Sequence, residues 1–206
     1  MTEKEAKSIL LNKLNFSQDD LYKLEIFTNE LKSYNLKFNL ISKSTVPNIW
    51  SRHILDSAQL VRFIDFKVSD SLADLGTGAG FPGIVLAIFN KNSRFHVKLY
   101  DKSHVKTKFL QNLCRNLNIK ADIYENSYQM HDIRSKYVVS RAFKKLDEHI
   151  RISREIIKVN HTLIILKGKN AEEEIKGLNK NYNYRYRLEQ SLTNDESKIV
   201  IVNFEK

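Results

Sequence analysis

A glycine-rich segment between a predicted strand and a predicted helix constrains this chain more than any other feature. Ser71-Leu72-Ala73-Asp74-Leu75 reads as a short buried strand. Gly76-Thr77-Gly78-Ala79-Gly80-Phe81-Pro82-Gly83 follows it, and an apolar helix runs from about Pro82 to Phe89. That setting makes a glycine motif credible as a ligand loop. As a phosphate-binding P-loop it fails, because Ile84 stands where the phosphate-binding Lys is required. As a dinucleotide fingerprint, Gly78 to Gly83 fits the letter G-x-G-x-x-G. The turn should begin at Gly76, however, and counted from there the third glycine is missing. The remaining reading is a loop for S-adenosylmethionine, with Asp74 two residues before the first of the glycines Gly76, Gly78 and Gly80. This ligand has no phosphate and carries an ammonium and a sulfonium. A carboxylate beside the loop attracts those cations and would repel a pyrophosphate. Glycines let backbone approach a ligand without a Cβ in the way. An acidic residue ending the second strand should hold the ribose hydroxyls, and Asp101 stands there, 25 residues after Gly76.

The flanks define the fold class. After the glycine segment, apolar strand-like runs alternate with helical patterns: 95–100, a helix through Val105, Phe109, Leu113 and Leu117, then 119–124, 137–139, a basic helix 145–159, 162–166 and a helix near 171–179. Such alternation means βαβ units and a parallel sheet. Tyr182–Leu192 and Lys198–Phe204 read as a closing hairpin, joined by Thr193-Asn194-Asp195-Glu196. The expectation is an α/β, doubly wound, mostly parallel seven-stranded sheet, with an antiparallel strand at or near one edge. Ligands should bind at the carboxyl ends of the first strands.

Residues 1–66 differ, with helical periodicity and no good strand, and are expected to form a helical cap on a cofactor-binding unit of residues 67–206. Ser17 can cap a helix through Leu21, Leu24, Phe27, Leu31, Tyr34 and Phe38. Pro47 can open a second, with Ile49, Trp50, Ile54, Ala58, Val61 and Ile64. Residues 39–44 read as a polar connection.

Composition narrows the function classes. Among 206 residues, 34 Lys and Arg face 24 Asp and Glu, a formal charge of +10, which favours a polyanionic partner. The abundance of Lys, Asn and Ile weakens that argument. No apolar run approaches the ~20 residues a membrane helix needs, and no signal peptide is read at the start. The six histidines show no metal-ligand spacing, so no metal is expected. Cys114 is the only cysteine, so the chain holds no internal disulfide. A cytoplasmic monomer is expected. Residues 134–169 carry ten Lys and Arg against three acids. Of these, Lys144, Lys145, Lys167 and Lys169 are candidates for phosphate contacts, whereas Arg151, Arg154 and Lys158 read as a solvated helix face.

The chain resembles the RsmG (GidB) family of bacterial methyltransferases. The resemblance is carried by Asn39-Leu40-Ile41-Ser42, Arg52-His53-Ile54-Leu55-Asp56-Ser57, the glycine segment, Val139-Ser140-Arg141-Ala142-Phe143 and Leu166-Lys167-Gly168-Lys169, in family order. It implies a Rossmann-like class I fold and methylation of N7 of a guanine in 16S rRNA, as naked RNA or in the small ribosomal subunit. It places cofactor contacts on Gly76, Phe81, Tyr128, Gln129 and Arg141, to which the physical argument adds Asp74, Gly78 and Asp101. It also makes Arg52, His53, Asp56 and Lys167 positioning candidates beside the target base. By spacing alone, Arg52 and Asp56 read equally well as an i,i+4 ion pair. Asn126-Ser127-Tyr128-Gln129 departs from the family's Gly-Arg-Ala-Glu-like segment, a change that a backbone contact would survive and a contact needing a Glu carboxylate would not. Thr107 stands where an Arg is frequent, which would remove one basic contact.

The chemistry of methyl acceptors agrees in part. Pro47 and Pro82 are the only prolines and lie far apart, so the Pro-Pro-aromatic motif of amino-nitrogen methylation is absent. Pyrimidine C5 methylation needs a cysteine nucleophile, and Cys114 reads as a packing residue. Hydroxyl methylation needs help with a proton, which Lys144, Lys145 or Lys167 leave open. Guanine N7 has a free lone pair and needs mainly alignment. A small-molecule or protein methyltransferase and a non-catalytic RNA-binding factor are the alternatives.

Overall fold

The computed structural model describes residues 1–141, 145–178 and 185–205. Two capped helices open the chain. In α1 (Glu3–Leu14) and α2 (Gln18–Phe38) the N-cap residues Thr2 and Ser17 exchange hydrogen bonds with Glu5 and Asp20, satisfying end groups reciprocally. Leu21, Leu24, Phe27 and Leu31 are buried, whereas Phe38 lies 48% exposed beyond the core. The stretch 39–44 is not wholly polar: Leu40 and Ile41 are buried, and the Ile41 N–H donates to Asn35 Oδ1 at 2.8 Å.

The second predicted helix is instead a composite. A 3-10 turn (Lys43–Asn48) contains Pro47, a π-helical turn (Trp50–Leu55) follows, then α3 (Asp56–Ala58) and another 3-10 turn (Gln59–Phe63). The widened turn buries Ile49, Trp50, Ile54 and Leu55 while Arg52 stays exposed. Such turns interrupt helices frequently at functional sites.

The seven strands are β1 (Ser71–Leu75), β2 (His96–Asp101), β3 (Asp122–Glu125), β4 (Tyr137–Arg141), β5 (His161–Lys167), β6 (Arg185–Gln190) and β7 (Lys198–Phe204). Their order is β3-β2-β1-β4-β5-β7-β6, with β1 to β5 parallel. β7 runs antiparallel between β5 and β6, so the reversed strand lies inside the sheet and β6 forms the edge. Residues 182–184 of the predicted hairpin lie outside the described residues. Helices α4 (Gly83–Phe89), α5 (His104–Asn116), α6 (Leu146–Ile156) and α7 (Ala171–Lys176) complete the layers.

Alternation of side chains along the strands feeds two cores. Leu72, Val139, Ile164 and Ile201 join a cluster with Leu24, Phe27, Ile54 and Ile84, so the N-terminal helices share one core with that face of the sheet. Ala73, Val138, Leu163 and Val200 join Ile150 on the other face. Strand order reverses between β1 and β4, and the carboxyl ends of strands at such a point form a crevice.

Candidate functional site

The glycine loop leaves β1 as a tight turn. Gly76, Gly78 and Gly80 have φ of 75°, 60° and 102°, in the left-handed region that favours glycine. The N–H groups of Gly76 and Thr77 both donate to the Tyr100 carbonyl, at 2.9 and 3.0 Å. Asp101 closes β2 with both carboxylate oxygens in use: Oδ2 accepts from Gly78 N–H at 2.8 Å and Oδ1 from Ser103 N–H at 2.9 Å. It therefore fixes the loop, and its oxygens keep lone pairs for other donors.

Asp74 differs from the sequence expectation of a carboxylate facing the ligand. It is fully buried beneath the loop, and its Oδ2 accepts from Gly83 N–H at 2.7 Å. Burial pushes its carboxyl up to about 7, only partly opposed by hydrogen bonding and by the Arg141 charge. Oδ1 is buried without a hydrogen-bond partner among the described residues. At Gly83 a Cβ would stand 2.1 Å from Leu99 Cδ2, so α4 can start this close to the sheet only with glycine there. Sequence reading left Gly83 out of the site, although the literal G-x-G-x-x-G match points at it.

Beside the loop lies a cleft of about 580 Å³. Gly76, Asp101, Lys106, Ser127, Tyr128 and Gln129 line it, from the ends of β1, β2 and β3. The 126–129 departure places Tyr128 in a 3-10 turn capped by Ser127. A glycine floor, a carboxylate for hydroxyls, and an aromatic and an amide side chain suit an adenosine. The unpartnered Asp74 Oδ1 suits a cation near the loop. This donor set fits S-adenosylmethionine. Phe81 contributes no side chain to this cleft. Its buried ring packs on Phe27, His53 and the Arg141 guanidinium, at 5.1, 4.9 and 5.1 Å. Thr107 is buried and its hydroxyl contacts Glu125, so an exposed cation is not what this position offers.

A second cleft of about 350 Å³ opens at the ends of β4 and β5. Arg52, His53, Asp56, Arg141 and Lys167 line it, together with Thr193 from the β6–β7 turn. Arg141 Nη1 donates to the Arg52 carbonyl at 2.9 Å. Among the described residues no ion pair joins Arg52 to Asp56, because the π turn spoils the i,i+4 alignment of an α-helix. His53 faces Thr45 Oγ1 at 2.8 Å through Nε2, and that hydroxyl donates to the Ser42 carbonyl. Thr45 has one hydrogen, so His53 carries its proton on Nε2 and Nδ1 is bare. Burial, with Arg141 and Arg52 nearby, holds His53 down at about 3, and the ring is neutral.

Asp56 is held by residues more than 130 positions away. Its Oδ1 accepts from Thr193 Oγ1 at 2.9 Å and, nearer in the chain, from Gln59 Nε2 at 3.0 Å. Gln59 also binds Ser191 Oγ and, through Oε1, the Leu192 N–H at 2.8 Å. Sequence reading missed Thr45, Gln59, Ser191 and Thr193, since no local pattern marks residues that meet only across the fold. Lys167 is ion-paired with Glu174 at 2.7 Å, so it is not free for a phosphate. Lys145 and Lys169 are exposed, and Lys144 lies outside the described residues. Arg151 pairs with Glu155 along α6, as a solvated face would.

A parallel sheet closed by a reversed β7, with a glycine loop after β1 and an acidic residue ending β2, is the fold of S-adenosylmethionine-dependent methyltransferases. The chain belongs to the GidB family, described as rRNA small subunit methyltransferase G, whose sequence model matches residues 20–200. It is 33% identical over 193 residues to the ribosomal RNA small subunit methyltransferase G of Pelagibacter ubique, covering 91% of this chain and 90% of that one. The protein of the same name from Rickettsia akari is 36% identical over 190 residues, 92% and 97% of the two chains. Among solved structures, an S-adenosylmethionine-dependent methyltransferase from Aquifex aeolicus superposes with a TM-score of 0.59 at 15% identity, covering 76% of this chain and 92% of that one. Aeropyrum pernix fibrillarin with natively bound S-adenosylmethionine gives 0.55 at 12% identity, covering 75% of each. Both show the fold. No helix among the described residues is long and apolar enough to cross a membrane, and none of their His, Cys, Asp and Glu form a metal-binding group.

Proposed function

We propose that this protein methylates N7 of a guanine in 16S rRNA of the small ribosomal subunit. Membership of the GidB family supports the rRNA substrate. The observation that carries the choice of atom is the placing of His53: buried, with Nε2 on Thr45 Oγ1 and its basicity lowered by burial and by Arg141 and Arg52. Such a ring is a fixed wall and a poor general base. N7 loses no proton on methylation, so positioning suffices.

When bound, S-adenosylmethionine supplies an electrophilic methyl on a sulfonium sulfur. Gly76 and Gly78 would give it backbone to lie on, Asp101 would hold the ribose hydroxyls, and Tyr128 and Gln129 would border the adenine. Asp74 would act from beneath, by fixing the loop through Gly83. Arg141, which packs on the Phe81 ring, lines the second cleft, where Arg52, His53, Asp56 and Lys167 would orient the target base. Lys145 and Lys169, with Lys144, would meet phosphates. In this reading residues 1–66 and 67–206 work as one monomeric unit in the cytoplasm, without a metal.

The test is incubation with labelled S-adenosylmethionine and small subunits lacking the modification, followed by nucleoside analysis. The expected product is N7-methylguanosine, recognisable by its fixed positive charge. Label in a neutral nucleoside or in protein would overturn the reading.

A further inference from the structure

Asp56 has one carboxylate oxygen tied and one open. Both side-chain donors that reach it, Thr193 Oγ1 and Gln59 Nε2, go to Oδ1, and no donor among the described residues reaches Oδ2. The residue is half-buried and lines the second cleft, so its untied oxygen is available there. Around it stand Arg141 and the exposed Arg52. The cleft thus offers one oriented acceptor among donors.

Guanine has the matching pattern. With N7 turned toward the cofactor, its opposite edge presents N1–H and the 2-amino group as adjacent donors, and O6 lies between N7 and N1 as an acceptor. Adenine presents a bare N1 lone pair at the same place, which a carboxylate repels. We infer that Asp56 Oδ2 is the acceptor that selects guanine, by taking hydrogens of the N1–H and 2-amino edge, a role that rests on the function proposed above. The same contact helps the reaction. The N7 lone pair forms the new N–CH₃ bond, the S–CH₃ bonding pair leaves with sulfur, and the positive charge passes to the ring, making N1–H a stronger donor to Oδ2. No proton need leave.

The clasp determines what a substitution does. In Asp56→Asn the amide oxygen stays with Gln59 Nε2, which can only donate, and Thr193 Oγ1 goes on donating to it. The NH₂ then faces the cleft, donor against donor. The test compares small subunits reconstituted with guanosine or with inosine, which lacks the 2-amino group, at the target nucleotide. Single-turnover methyl transfer by the wild type is expected to be about 10–100-fold faster on guanosine, the worth of one hydrogen bond to a charged acceptor. Asp56→Asn is expected to bring the ratio close to one while S-adenosylmethionine affinity holds. A purely structural role would slow both substrates equally and leave the ratio unchanged, which would overturn the inference. Asp56→Ser, too short to reach the base, serves as a second variant with the same expected loss. A wild-type ratio near one would overturn the inference with no variant at all. Absence of N7-methylguanosine in the guanosine-containing subunit would instead sink the proposed function.

Discussion

The two clefts are built in different ways. The one beside the glycine loop is assembled from the ends of three neighbouring strands, β1, β2 and β3, and most of its contacts are backbone N–H groups held by carbonyls or carboxylates. The second is held by side chains from distant parts of the chain: Asp56 and Gln59 on one side, Ser191 and Thr193 on the other. The first is a product of secondary structure and the second of a long-range clasp. Each should therefore fail separately. A loop fixed through backbone tolerates little at its glycines, whereas a side-chain clasp can loosen while the sheet stands.

The largest effect is expected at Gly83. Gly83→Val would drive side-chain atoms into Leu99 and Asp74, where overpacking costs roughly 1–3 kcal/mol or more. Urea unfolding should show that destabilisation together with failure to bind the cofactor. Wild-type stability would mean that α4 does not need glycine at its start. Asp101→Ala comes next. It frees two backbone N–H groups and removes the proposed ribose acceptor, so calorimetry should show S-adenosylmethionine binding weakened by about 10–100-fold. Unchanged affinity would take Asp101 out of the site.

Gln59→Leu probes the other region. It strands the Leu192 N–H and loosens Asp56, at a cost of about 1–3 kcal/mol. Methyl transfer should fall while cofactor affinity is kept. Equal loss of both would mean that the two clefts are not separable.

Acid and base titration should separate them with opposite sign. His53 has a folded pKa near 3 against 6.5 when free. The folded state thus resists its protonation, and stability present above pH 6.5 is lost as pH falls toward 3. Asp74 has a folded value near 7 against 3.8. Its neutral form favours the fold, so stability present below pH 3.8 is lost as pH rises through 7. Unfolding measured against pH should find His53→Gln flattening the acid side and Asp74→Asn flattening the rise toward neutral. Wild-type slopes in both variants would show that neither group is held as described.

The smallest effect is expected at the surface. Lys169→Glu should leave cofactor affinity untouched and lower the salt slope of rRNA binding by roughly 0.7–0.9 for each phosphate that the lysine neutralises. An unchanged slope would make this lysine part of a solvated face.

What the sequence settled alone is what neighbours in the chain decide. Alternating strands and helices, the glycine turn and the acid ending β2 are local patterns, because backbone geometry and a side-chain period of two act over a few residues. The Ser17 cap belongs with them. Tertiary structure decided the rest. Asp74 proved buried because α4 sits down on Gly83, and Phe81 turned its ring to Phe27 and His53 instead of the cleft. A helix read as continuous became a π turn, and β7 came to lie between β5 and β6. The clasp of Asp56 and Gln59 with Ser191 and Thr193 joins residues that have no relation until the sheet closes. Their hydrogen bonds follow from how two distant surfaces pack, which no spacing along the chain encodes.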